Sequence, residues 1–183
     1  MARNEARLQS LSAPLASETR RSAKVQRADL TNTYAAAPAF VARGAGTIIN
    51  VGSVVGISPE TLNGVCGATK AYVLAFSHSL QHGLADRGIR VQAVLPAATA
   101  TEAWERAGMP YQNLPAEIVM SPEDVVDTAL VGLDQGELVT LPSLHDGDEW
   151  TRFEAARRAI SHLFGNSVPA PRYRPTLAAV SAS

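Results

Sequence analysis

The sequence predicts an α/β protein, and three observations predict it. Thr47-Ile48-Ile49-Asn50-Val51 is a short apolar, β-branched run with the character of a buried strand. Gly52, Gly56 and Pro59 then interrupt it as a loop, and a long helical pattern begins after Asn63-Gly64. Two further short runs, Ile89–Leu95 and Glu137–Leu141, are separated from it and from each other by helical patterns.

From the beginning of the chain, residues 4–18 place Leu8, Leu11 and Leu15 at helical spacing, with Pro14 against the pattern. Lys24-Val25-Gln26-Arg27-Ala28 reads as a short strand ending at Asp29-Leu30-Thr31. After the Thr47–Val51 strand, Cys66 to Arg87 is expected to form one long helix with Val65, Val73, Leu74, Phe76, Leu80 and Leu84 on its apolar faces. Gly88 supplies its stop. Ser121-Pro122-Glu123-Asp124 is a strong helix start, with Ser at the N-cap, Pro at the first helical position and Asp two residues further in. That helix is expected to stop near Gly136, and Pro142 closes the strand that follows. A last amphipathic helix is expected after Asp148, with Trp150, Phe153, Ala156, Ile160 and Leu163 on one face. We expect residues 1–168 to form a single domain and residues 169–183, with their prolines and small residues, to be a poorly ordered tail.

Composition excludes several classes. A formal net charge of −1 over 183 residues gives no reason to expect nucleic acid or an anionic membrane as partner. No apolar run approaches the length of a membrane span, and Met1-Ala2-Arg3-Asn4 does not open a secretory signal, so the expected location is the cytoplasm. The single cysteine, Cys66, excludes an internal disulfide and fits a reducing compartment. Fourteen of the sixteen basic residues are Arg, which makes the two lysines, Lys24 and Lys70, conspicuous. His78 and His82 share a helix face at metal-compatible spacing, but no third ligand lies nearby and no metal is expected.

Ser53 follows the strand at its carboxyl end, where open parallel sheets place their ligands. Cys66 comes thirteen residues later and Lys70 four residues after that, one helical turn on. This stretch resembles the short-chain dehydrogenase/reductase family, in which a strand ends in a catalytic Ser and a helix thirteen residues on carries Tyr-x-x-x-Lys. Here Cys66-Gly67-Ala68-Thr69-Lys70 occupies the motif, with Cys in the place of Tyr. The likeness runs on through Ile89–Leu95 and Pro96-Ala97-Ala98-Thr99-Ala100-Thr101, which is similar to the family's Pro-Gly-x-x-x-Thr turn with Ala97 for Gly.

The resemblance implies a Rossmann-like three-layer sandwich on a parallel sheet that is incomplete, its first, second and fourth strands largely missing. Residues 24–28 correspond to the family's third strand, which would then have no neighbour in the sheet. No G-x-x-x-G-x-G turn occurs, and the chain passes from Thr31 to the end of the family's fourth helix without the Asn-Asn-Ala-Gly strand. In these terms the chain looks like a truncated and internally deleted member. The exposed edge is a liability for association, and relatives pair the long helix across a dimer axis, so a homodimer or larger assembly is expected.

Carried over by position, the resemblance implies catalytic roles for Ser53, Cys66 and Lys70. It implies cofactor contacts from Lys70, Pro96, Thr101, Asp29 and Arg3: Thr101 at the nicotinamide carboxamide, Asp29 at the adenine, Arg3 at the 2′-phosphate of NADP. The cofactor is NAD or NADP, with NADP slightly favoured and binding expected to be weak. The substrate class is a small alcohol or carbonyl compound, selected by the segment around Trp104 to Leu114. A thiol ends one bond beyond Cβ and falls short of where a phenol oxygen reaches, whereas general acid–base work needs hydrogen-bond contact. Cys66 is therefore either a displaced proton donor or a small buried helix residue. Two functions stay open: an NAD(P)-dependent oxidoreductase of impaired or lost activity, and a non-catalytic remnant or interaction subunit that pairs with itself or with an intact relative.

Overall fold

Gly46–Val51 (β1) and Ile89–Val94 (β2) run parallel in unbroken register, from Gly46 opposite Ile89 to Val51 opposite Val94. They belong to a computed structural model that describes residues 30–61 and 64–173. The expected helix at 4–18, the strand at 24–28, Arg3, Asp29, Asn63 and the last ten residues lie outside the described residues. The chain divides into two compact units after Ser143.

In the first unit Leu30–Arg43 (α1) leads into β1, and Gly64–Leu84 (α2) connects β1 to β2. Val139–Thr140 (β3) pairs parallel with Ala93 and Val94, so the described sheet has the order β1-β2-β3. A parallel pair needs a crossover connection, and α2 supplies it. The core forms where Ile48, Ile89 and Val91 of the sheet meet Leu80 of α2, with Phe40 and Val41 of α1 and Phe76 and Leu84 of α2 packed around them. Each of these aliphatic side chains, once fully buried, contributes about 1.5–3 kcal/mol. The α/β class and the parallel, incomplete sheet agree with the reading of the sequence.

Polar contacts fix the register of helix on sheet. Buried Asn50 of β1 donates to Ser77 Oγ at 2.9 Å, and Ser77 Oγ donates to the Val73 carbonyl at 2.8 Å. A buried polar group is costly unless bonded, so this pair favours one seating of α2 along β1. Pro122–Asp134 (α4 in the chain, after the short Ala103–Arg106 helix, α3) covers the other face of β2. Gln92, fully buried, donates to the Ala129 carbonyl at 2.8 Å and to Thr140 Oγ1 at 2.9 Å; Thr140 in turn donates to Glu137 Oε2 at 2.7 Å.

Several boundaries differ from expectation for local reasons. The final strand is two residues long, not five, because Glu137 N bonds back to the Gly132 carbonyl and closes the helix end instead of joining the sheet. The long helix begins at Gly64, and Val65 is 77% exposed instead of lining an apolar face. Its last turn tightens into a 3₁₀ turn at Ala85–Arg87, and Gly88 follows with φ of 72°, the left-handed conformation expected of a helix stop. Ser121 caps α4 as expected, accepting from Asp124 N at 3.0 Å.

In the second unit Gly147–Ser161 (α5) is capped by Asp146, which accepts from Asp148 N at 2.9 Å, so the helix starts before Asp148. Trp150 and Phe153 stack with centroids 5.2 Å apart. The expected apolar face is not a buried one: Phe153, Ile160 and Leu163 are all substantially exposed. Among the described residues no helix is long and apolar enough to cross a membrane.

Candidate active site at the carboxyl edge of the sheet

The ends of β1 and β2 are stitched together around one carbonyl. Gly52 N donates to the Val94 carbonyl at 2.8 Å, and Val54 N and Ser53 Oγ both donate to the Pro96 carbonyl, at 3.1 and 3.2 Å. Ser53 is extended and caps the 3₁₀ turn Val54–Gly56, accepting from Val55 N at 3.4 Å. Its hydroxyl is therefore held at the carboxyl edge of the sheet by partners on both sides.

That turn lies directly on α2. A Cβ on Gly56 would come within 2.8 Å of the Lys70 carbonyl carbon and oxygen, and a Cβ on Gly67 within 2.6 Å of Pro59 Cβ. Two glycines, one on each side of the contact, thus let the loop and helix backbones touch at the level of Lys70. In the sequence Gly56 reads only as a strand breaker and Gly67 only as a position inside the Cys66–Lys70 motif. The signal was present in the small residues flanking the motif, but close approach is a property of two segments together.

Lys70 is half-buried, and its Nζ donates to the Val51 carbonyl over a long 3.5 Å. Burial lowers its pKa from the ordinary lysine range, and the charge of a Cys66 thiolate one turn away opposes the shift. Cys66 is exposed, so the reading of it as a buried helix residue does not hold. It stands on the first turns of α2, and its carbonyl accepts from Thr69 Oγ1 at 2.9 Å.

The Pro96–Thr101 turn runs along the same edge. Ala100 N donates to the Met120 carbonyl and Met120 N to the Ala98 carbonyl, pinning the turn to the residue before the α4 cap. Thr101 is half-buried, and its carbonyl accepts from Trp104 N at 3.3 Å as the chain enters α3. The Trp104 indole donates to the Thr99 carbonyl at 2.9 Å, tying the expected specificity segment back to the turn. Ser53, Lys70 and Pro96 are linked to the ends of the same two strands, and Thr101 closes the turn that starts at Pro96.

Comparison with known proteins bears on this arrangement. The family model described as short chain dehydrogenase matches residues 26–111, which include Ser53, Cys66, Lys70, Pro96 and Thr101. Over this stretch the chain matches the short-chain dehydrogenase family. The chain is 48% identical to a short-chain dehydrogenase from Sphingobium yanoikuyae, solved in complex with NADPH, with a TM-score of 0.74 over 78% of this chain and 55% of that one. It is 42% identical to the bulky-bulky ketone specific alcohol dehydrogenase from Comamonas testosteroni, with a TM-score of 0.66 over 76% of this chain and 51% of that one. Among curated proteins it is 35% identical over 104 residues to the NADP-dependent 3-hydroxy acid dehydrogenase of Salmonella typhi, covering 52% of this chain and 41% of the relative. The chain thus spans about half the length of the relatives it matches.

The residues at this edge fit one end of a nicotinamide dinucleotide. An ammonium has three donors, and Lys70 uses one of them weakly on Val51, which leaves two for ribose hydroxyls. The Pro96–Thr101 turn offers the half-buried hydroxyl of Thr101. For the pyrophosphate, the described residues hold no glycine-rich turn opening a helix. Among the described residues the fit is to the nicotinamide half alone.

Proposed function

We propose that this chain carries the substrate-side half of an NAD(P)-dependent oxidoreductase site for an alcohol or carbonyl compound, and that it transfers hydride weakly or not at all. The observation that carries the reading is the pair at the start of α2: Lys70 half-buried and directed at the end of β1, with an exposed thiol, not a phenol, one turn before it.

When bound, the nicotinamide supplies or accepts the hydride. Lys70 would hold the nicotinamide ribose, Thr101 and Pro96 would bound the nicotinamide, and Ser53 would hold the substrate oxygen. NADP is favoured over NAD because the Sphingobium relative was solved with NADPH and the Salmonella relative is NADP-dependent. Arg3 and Asp29, at the 2′-phosphate and adenine end, complete the cofactor contacts in this reading. The proton step is where the chain departs from its family. The Cys66 sulfur lies one bond beyond Cβ, so it meets a substrate oxygen held by Ser53 only through an intervening water, and water relays proton transfer less directly than contact at hydrogen-bond distance.

The second reading, a non-catalytic subunit that pairs with itself or an intact relative, is favoured by the edge of β1 that is unpaired among the described residues and by its exposed face, where Ile49 and Val51 are 42% and 62% exposed. In either reading we place the protein in the cytoplasm, acting without a metal. The deciding experiment is turnover of the purified chain with NADPH and NADH against ketones that include bulky ones and against 3-oxo acids. Turnover at rates ordinary for enzymes, on the order of 1–1,000 per second, would sink the proposal of impaired activity. A flat trace together with a detectable complex with a full-length relative would favour the second reading.

A further inference from the structure

The peptide unit between Thr99 and Ala100 is held from both sides. Its carbonyl accepts from the Trp104 indole at 2.9 Å, and its N–H donates to the Met120 carbonyl at 3.0 Å. A peptide unit is planar, so fixing both of its polar groups fixes its orientation. Two residues on from Thr99, the Thr101 carbonyl accepts from the Trp104 main-chain N–H at 3.3 Å. Trp104 thus grips the turn just before Thr101 with its side chain and at Thr101 with its backbone. Its own carbonyl accepts from Ala107 N and Met109 N, each at 3.1 Å, which ties it to the end of α3.

The bonds from Met120 N to the Ala98 carbonyl, from Ala100 N to the Met120 carbonyl and from Trp104 N to the Thr101 carbonyl are all backbone bonds. Any residue except proline can donate in them. The bond to the Thr99 carbonyl is different, because it depends on a side chain with a donor at the reach of an indole. Thr99 is half-buried, where an acceptor left unmet is costly. We infer that Trp104 is a positioning residue for the cofactor turn: through the Thr99 carbonyl, its indole sets where the Thr101 hydroxyl stands for the nicotinamide. This rests on the proposed function, in which Thr101 and Pro96 bound the nicotinamide. Trp104 opens the segment expected to select the substrate, so one residue serves both sides of the reacting centre. A displacement of the turn is passed to the indole, and the loss of the indole is passed to Thr101.

The test is NMR on the full chain, titrated with NADPH into the millimolar range. In the unmodified protein the Thr101 amide and methyl and the Trp104 indole N–H should shift with one shared midpoint. The chain has two tryptophans, and the Trp104→Phe spectrum assigns the indole. Trp104→Phe keeps an aromatic ring and removes the donor. It should leave the amides of Ile89–Val94 protected from exchange, free the Ala100 amide, and weaken NADPH at least about threefold, as expected for one lost hydrogen bond. Thr101→Val should weaken NADPH in the unmodified chain and add little in Trp104→Phe, since both substitutions then remove the same contact. Additive effects, or an Ala100 amide still protected in Trp104→Phe, overturn the inference and leave Trp104 a packing residue. If Trp104→Phe does not fold, the unmodified chain decides: Thr101 shifting while the indole stays silent overturns the inference. NADPH moving neither Lys70 nor Thr101 would sink the proposed function, and the inference with it. NADPH moving both, with Trp104→Phe binding as tightly as the parent, leaves that function standing and overturns the inference alone.

Discussion

Ser53 Oγ donates to the carbonyl of Pro96, 43 residues further along the chain, at 3.2 Å. This one bond joins the residue expected to hold a substrate oxygen to the first residue of the turn expected to bound a cofactor. Ser53→Ala should therefore do more than remove a hydroxyl. It leaves the Pro96 carbonyl with Val54 N as its remaining donor and takes away the cap on the Val54–Gly56 turn. Losing a cap of this kind costs about 0.5–2 kcal/mol, measurable as a shift in the urea midpoint at unchanged slope. A variant as stable as the parent would show that the backbone bonds alone hold the edge.

Gly56→Ala tests the contact between loop and helix. A methyl at this position meets the Lys70 backbone at 2.8 Å, and backbone cannot rotate aside as a side chain can. We expect a loss of about 1–3 kcal/mol, the usual range for overpacking, and a change in the environment of Lys70 detectable in its side-chain amine resonance. Wild-type stability in Gly56→Ala would mean that the loop stands off the helix.

Lys70 gives stability a pH dependence of known sign. Its folded pKa is lowered, chiefly by burial, so between the folded value and the ordinary lysine value the unfolded chain binds more protons than the folded one. Stability therefore rises with pH across that alkaline window, and below it the cost of burying the charged ammonium is present in full. In Lys70→Met the part of the alkaline rise due to this residue should vanish. An identical pH profile for the two proteins would refute the assignment.

Cofactor affinity is expected to be weak, since the fit is to one end of the dinucleotide. Titration with NADPH, followed by fluorescence or calorimetry, should show no saturation at micromolar concentration. Tight binding would mean that residues outside those described build a pyrophosphate site.

Cys66→Tyr restores the family residue at the motif. If the cofactor is held only at one end, that substitution by itself should give no measurable reduction of ketones or aldehydes with either nicotinamide. Turnover by Cys66→Tyr would show that a nicotinamide is held in register. Turnover by the unmodified chain that disappears in Cys66→Ala would make the thiol a working acid.

The fold was legible wherever a pattern is local. The β1 run, the Ser121 cap and the Gly88 stop each carry their signal within a few residues, and each is found where expected. Features that depend on two segments meeting were not legible. Nothing near Gly67 announces that Pro59 will press against it, and nothing near Cys66 announces that its side chain stands exposed. The last strand was overread for a related reason: Glu137 has two possible backbone partners, and the helix end takes it before the sheet can. Ser53, Lys70, Pro96 and Thr101 were singled out in the sequence because their spacing resembles that of a family. Their shared anchoring to the ends of β1 and β2 became visible only in three dimensions.

The exposed thiol has a practical side. Because the chain contains a single sulfhydryl, a maleimide dye or spin label added to the native protein attaches at one address, on the helix that carries Lys70 and one turn away from it. No engineered handle is required and no competing sulfur has to be removed first. The departure from the family motif thus places a reporter one helical turn from Lys70, where the surroundings of a label would report on any molecule that this lysine holds.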